Sequence, residues 1–201
     1  FYYTGMSVQT FLLYCIHDIS NIKDHPEAAV ASLAILSQIA GAITCYPVGV
    51  ISDRYLGGRR KPFVYLACAL LSSATLLLIF ATTLHEMAIL CLVLGGANGI
   101  YLTMDTSLAI DTLPKNRNDD DNGSAQLLGI WGVADFLGSA LGPMIGGPLL
   151  YFFGQKDDGD ADADADVEEY SLTGYAVVLS LSTFYFILSA LSLQYIKNHH
   201  E

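Results

Sequence analysis

A few polar side chains stand where the sequence is otherwise apolar, and they are the residues able to do chemistry. Asp135 lies in the apolar run 127–153, four residues after Trp131, and Asp105 lies in the run 87–110, preceded by Asn98 and Tyr101. Gln9 sits near the middle of an earlier run, 2–19. A carboxylate at the centre of a membrane-length helix costs about 2.5–3.5 kcal/mol, so such a residue is expected to face a bundle interior or a watery cavity. There it can carry a proton or accept hydrogen bonds from a solute, while amide and phenol groups add donors and acceptors. At 100° per residue Asn98, Tyr101 and Asp105 share one helical face, and Asp135 shares the face of Gly138, Gly142 and Gly146. Structural roles stay open for each: an interfacial carboxylate for Asp105, a hydrogen-bonded tie to a neighbouring helix for Asp135, an interhelical bond for Gln9. Enzyme chemistry finds little support. His17, Asp18, Asp105 and Asp135 are scattered, with no metal-ligand spacing, nucleophile and base pairing or phosphate-cradling glycine loop, so neither catalysis nor a cofactor is expected. Cys15, Cys45, Cys68 and Cys91 stand singly and read as packing residues.

These side chains need helices that hold them at depth. The 201 residues are 53% hydrophobic, and their apolar runs reach the ~20 residues that span a hydrocarbon core, which places the chain in the membrane class before any motif is weighed. Six spans follow: 2–19, 28–51, 63–83, 87–110, 127–153 and 172–196. The expected fold is an all-α, integral membrane bundle of six transmembrane helices. Gly95, Gly96 and Gly99, and the four-residue repeat Gly138, Gly142 and Gly146, suit close helix approach, while Pro47 and Pro143 are expected to kink or break their helices. The span 63–83 has few polar groups and is expected on the lipid side. Residues 84–86 read as a tight turn and 112–126 as a solvated loop. Phe1 falls inside an apolar stretch with no charged leader before it, so the chain is expected to be a fragment of a longer protein.

Between the second and third spans stands Gly49-Val-Ile-Ser-Asp53-Arg54-Tyr-Leu-Gly57-Gly58-Arg59-Arg60-Lys61-Pro62, which holds four of the nine Lys and Arg residues. Basic residues stay on the cytoplasmic side, so this loop sets the orientation. Its Gly-x-x-x-Asp-Arg followed by Gly-Arg-Arg resembles the loop motif of the major facilitator superfamily, although Tyr55, Leu56 and Gly57 make the spacing longer than the family's. Residues 99–114, Gly129-Ile-Trp131-Gly, and Leu141-Gly-Pro143 onward to Pro148 are similar to the tenth and eleventh helices of members near the glycoside–cation symporter branch.

That resemblance implies the C-terminal six-helix half of a secondary transporter working by alternating access. Its partners would be the lipid bilayer, an N-terminal half, and a small solute, a sugar first, moved with a proton or sodium. Gly49, Asp53, Arg54, Gly58, Arg59 and Arg60 would form a gating loop, and Gln9, Asn98, Tyr101, Asp105, Trp131 and Asp135 would line the solute or ion pathway. The alternatives are a carrier of another organic solute or drug, and a receptor or scaffold relative that transports nothing.

The formal charge of −11 does not describe the whole chain, because eight of the twenty acidic residues lie between Asp157 and Glu169. From Asp158 the carboxylates match a calcium-loop spacing, but Ala163 stands where that turn requires Gly, so 154–170 reads as a disordered, solvated external loop. With the basic loop inside, seven Lys and Arg residues are cytoplasmic and two external. Nothing in this distribution suits nucleic acid.

Overall fold

The computed structural model describes residues 1–11, 26–55, 60–111, 121–155 and 170–195. Every regular element among the described residues is helical: α1 (Tyr2–Val8), α2 (Pro26–Tyr55), α3 (Lys61–Leu78), α4 (Leu84–Asp111), α5 (Asp121–Gly154) and α6 (Leu172–Ser192). Short 3-10 turns continue α1 at Gln9–Phe11 and α6 at Leu193–Tyr195. The helices α2 to α6 are long and apolar enough to cross a membrane. The first expected span is described only to residue 11, and its remainder, the acidic residues 156–169, Gly58 and Arg59 lie outside the described residues.

Local chemistry explains where these helices begin. Thr83 and Glu86 form a capping box: Thr83 Oγ1 accepts from the Glu86 amide at 3.3 Å, and Glu86 Oε2 accepts from the amides of Thr82 and Thr83 at 3.1 and 3.2 Å. Residues 84–86 are therefore the first turn of α4, not the expected turn, and the chain reverses just before them. Likewise α5 begins at Asp121, so 121–126 are helical where a loop was expected. Pro62 stands in the first turn of α3, where no intrahelical N–H bond is lost. The Ser171 hydroxyl caps α6 by accepting from the Gly174 amide at 3.4 Å. Pro143 does not break α5, which runs unbroken through both Pro143 and Pro148. In a bundle, neighbouring groups re-satisfy the carbonyls that proline frees.

The core lies between α3, α4 and α6. Val64, Ala67, Cys68, Leu71, Ala74 and Thr75 of α3 are buried against Met87, Cys91, Leu94 and Met104 of α4 and Leu179 and Phe186 of α6. Small residues every third or fourth position let this span, expected on the lipid side, nest one face between two helices, while the opposite face, with Leu66, Leu76 and Leu77, is exposed. The helices most exposed on their apolar sides are α2, through Ile35, Ile39, Ile43 and Tyr46, and α5, through Ile130, Val133 and Phe136. Hydrocarbon solvates such faces at no cost.

The pairings have a pattern. α2 packs on α4 and α5 on α1; α3 packs on α4 and α6 on α1; α3 also packs on α6. Exchanging the first three helices for the last three maps these contacts onto one another, as an internal three-plus-three repeat would, but α5 also packs on α6, and that pairing has no comparable counterpart between α2 and α3 among the described residues.

Candidate functional site

The helix α1 is held in a slot between α5 and α6. A Cβ placed on Gly138 would stand 3.0 Å from Tyr3 Cβ, one on Gly142 would stand 2.5 Å from Ser7 Cβ, and one on Gly146 would stand 2.6 Å from the Phe11 ring. The glycine stripe of α5 is therefore the groove into which α1 fits. Ser7 Oγ donates across it to the Ser139 carbonyl, and on the other side Ser182 Oγ donates to the Gly5 carbonyl at 2.8 Å. These contacts fix the height and rotation of the two tyrosines that follow Phe1.

Tyr2 turns toward α4 and Tyr3 toward α5. The Tyr2 ring stacks on Tyr101 with centroids 3.4 Å apart and planes 5° apart, and its hydroxyl donates to Asn98 Oδ1. Tyr101 is buried and shares a hydrogen bond of 3.3 Å with Ser189 Oγ of α6. The Tyr3 ring meets Trp131 edge to face at 6.2 Å, and its hydroxyl lies beside the Asp105 carboxyl. Asp105 and Asp135 are within electrostatic reach of each other and of Tyr3. Both are half-buried, and Asp135 Oδ1 accepts from Ser139 Oγ at 3.3 Å.

Five of the six expected pathway residues, Asn98, Tyr101, Asp105, Trp131 and Asp135, thus gather around the first turn of α1. Gln9 does not join them. Its Nε2 donates to Thr75 Oγ1 of α3 at 2.6 Å, a buried tie between helices. The gathered group offers carboxylate and phenol oxygens beside aromatic rings and includes no Lys, Arg or His. Such a lining can accept hydrogen bonds from hydroxyls, stack against an apolar face, or stabilise a cation. Among the described residues no group of three or more His, Cys, Asp and Glu side chains gathers.

At the basic end, Arg60 stands at the residue before α3 and reaches across to Asp111, the last residue of α4, with Nε 3.0 Å from Oδ2. Asp53 and Arg54 are exposed in the last turns of α2, and Gly49 lies one turn earlier with open space where a Cβ would project. Of the expected gating residues, Arg60 therefore has its partner on α4. Sequence reasoning missed Asp111 as a site residue, although a carboxylate ending an apolar run at the level of a basic loop is a readable signal. It also missed Tyr2 and Tyr3, which were absorbed into an apolar run although a phenol at depth must find a polar partner.

The sequence model of the Major Facilitator Superfamily matches residues 1–192 of the chain. No curated protein and no solved structure matches it.

Proposed function

The chain belongs to the major facilitator superfamily, a family of transmembrane carriers, and from that premise we infer that it is the C-terminal six-helix half of a symporter moving a sugar or related polar solute with a cation. As a multi-pass membrane protein of this family it takes part in transport across the bilayer. The observation that carries the finer reading is the gathering of Tyr3, Asp105, Trp131 and Asp135 from three different helices. An aromatic ring set against carboxylates is the lining a sugar ring asks for, since its C–H face stacks and its hydroxyls donate. Two carboxylates in reach of each other favour a bound proton or cation between them. Side chains gathered on one six-helix half would form one wall of a site that opens to one side in one state and to the other side in the next as the two halves rock. The Arg60 and Asp111 pair would close the basic end in one of those states. The test is uptake of labelled sugars into vesicles holding the full-length protein, with a proton or sodium gradient imposed. Accumulation that collapses with the gradient supports the reading, and uptake blind to both gradients removes the symport.

A second reading, a carrier of cationic organic solutes, is favoured by one feature. The gathered site residues include two acids and the four aromatic rings of Tyr2, Tyr3, Tyr101 and Trp131, and no base, which suits an amine or quaternary ammonium. Competition of sugars and organic cations against each other in the same vesicles separates the two.

A further inference from the structure

Most polar groups of the gathered site are engaged with one another. The Tyr2 hydroxyl donates to Asn98 Oδ1, Tyr101 shares a hydrogen bond with Ser189, Ser139 donates to Asp135, and the Tyr3 hydroxyl lies beside Asp105. The Asn98 amide nitrogen and the Trp131 indole N–H have no partner among the described residues. An amide has one oxygen and two N–H donors, so a bond that fixes the oxygen also fixes where the donors point. Tyr2 makes that bond from a locked position. It is 3% exposed, its ring is stacked on Tyr101, and on another side it meets Phe186 with centroids 6.0 Å apart.

The donors of Asn98 open beside the site. Ser52 Oγ is the described side-chain polar atom that is both buried and without a partner, so the unbonded Asn98 nitrogen reaches accessible space. Asn98 is half-buried and stands about two turns before Asp105 on the same face of α4. That face lies between Gly95 and Gly99, which meet α2, and Tyr101, which turns inward to Ser189. Free N–H groups are costly in hydrocarbon but not in a wet cavity. The site therefore has two unlike ends: Asp105 and Asp135 accept at one, and Asn98 donates at the other.

We propose that Asn98 determines specificity: with its oxygen held by Tyr2, its amide N–H groups donate to an oxygen of the solute and favour solutes that carry one. Tyr2 is then a positioning residue that acts through Asn98. The proposal deepens the carrier reading and rests on it. It also separates the two solutes considered above, because a bare quaternary ammonium satisfies only the carboxylate end.

The test is uptake of sucrose, acetylcholine and tetraethylammonium into vesicles holding the full-length protein, with the half-saturating concentration of each. Asn98→Leu should weaken sucrose about tenfold and leave tetraethylammonium, which has no oxygen, within about twofold. Tyr2→Phe lets the amide turn and should weaken sucrose about threefold at an unchanged maximal rate. The double variant Tyr2→Phe/Asn98→Leu replaces both polar partners by apolar groups, so no hydroxyl is stranded. Its melting midpoint should return toward the parent's, while its sucrose affinity stays as poor as that of Asn98→Leu. Equal losses on sucrose and tetraethylammonium, or affinity that recovers along with stability, overturn the proposal. Sucrose uptake indifferent to Asn98→Leu overturns it too and leaves the sugar reading standing. Where sucrose is refused, acetylcholine must be preferred to tetraethylammonium and lose that preference in Asn98→Leu. That result keeps the donor and removes the sugar, and any other overturns both.

Discussion

Two close helix crossings hold this bundle, and different atoms fill them. Where α2 meets α4, backbone meets backbone: a Cβ on Gly95 would fall on the Ser37 carbonyl, and one on Gly99 would fall on the Gly41 carbonyl. Where α1 meets α5, the glycines receive side chains instead, Tyr3 at Gly138, Ser7 at Gly142 and Phe11 at Gly146. At the first crossing the nearest atoms are mostly backbone, with Thr44 the side chain among them, so its spacing is set mainly by the peptide planes. The second has rotatable groups in its notches and can yield. It is also the crossing whose helices carry Tyr3, Trp131 and Asp135. The two crossings are related by the exchange of helix triplets noted above, yet one is built to stay and the other to adjust.

The largest effect is expected where nothing can move. Gly95→Ala places a methyl group against the Ser37 carbonyl, and overpacking of a core that can relax costs about 1–3 kcal/mol, more where the obstacle is backbone. Little folded protein is expected from this variant, read as monodisperse yield in size-exclusion chromatography. A normal yield would show that this crossing has slack after all. Gly146→Ala is the graded case, because its nearest atoms belong to the Phe11 ring, at 2.6 Å, and a ring at the end of its side chain can turn aside. It should fold, with a loss of about 1–3 kcal/mol read as a lower melting midpoint. Equal losses at Gly95 and Gly146 would erase the distinction between the crossings.

A third substitution sharpens the functional side of the comparison. Asp135→Asn keeps the size of the side chain and its bond with Ser139, so stability should move by less than about 1 kcal/mol. On the proposed symport the pH dependence of transport should change, because one of the two carboxylates beside Tyr3 is gone. Uptake against pH in the full-length protein reads this. An unchanged profile with unchanged affinity leaves Asp135 as a tie between helices. Asp53→Asn at the basic end should slow turnover and leave affinity within a few-fold, as a residue acting on the gate would.

How much of this was legible depends on which physical signal a residue leaves in sequence. The membrane class and the helices were plain, because apolar length is a one-dimensional property. Helix starts were less so: Thr83 and Glu86 carry a capping box that the polar cluster around His85 disguised as a turn. The neighbours of α3 were not legible, because polarity reports what a helix avoids and not what it touches. Its alternating Ala, Cys and Ser residues fit a helix between two neighbours as well as one against lipid. Asp105 and Asp135 were legible because charge in an apolar run is conspicuous. That they meet at Tyr3 was not, since the meeting depends on how α1 seats in the α5 groove.

The smallest effect should come from Thr44, and its smallness tests what closes the rigid crossing. Thr44 Oγ1 lies 3.1 Å from the Gly96 carbonyl of α4, and also 3.0 and 2.9 Å from the Ala40 and Gly41 carbonyls of its own helix. One proton is shared among three acceptors, so no single bond is strong. The carbonyls keep their helical N–H partners when the hydroxyl goes, so none is left bare. Valine has nearly the same volume and the same branched shape, so the close approach of α2 and α4 survives. Interhelical hydrogen bonds inside membranes average about 0.6 kcal/mol with a maximum near 1.7, and Thr44→Val should fall near the lower figure with transport unaltered. A loss well above that maximum would mean that the hydroxyl holds the helices together and the glycines merely permit it. A loss below it leaves packing of backbone on backbone as what fixes the crossing.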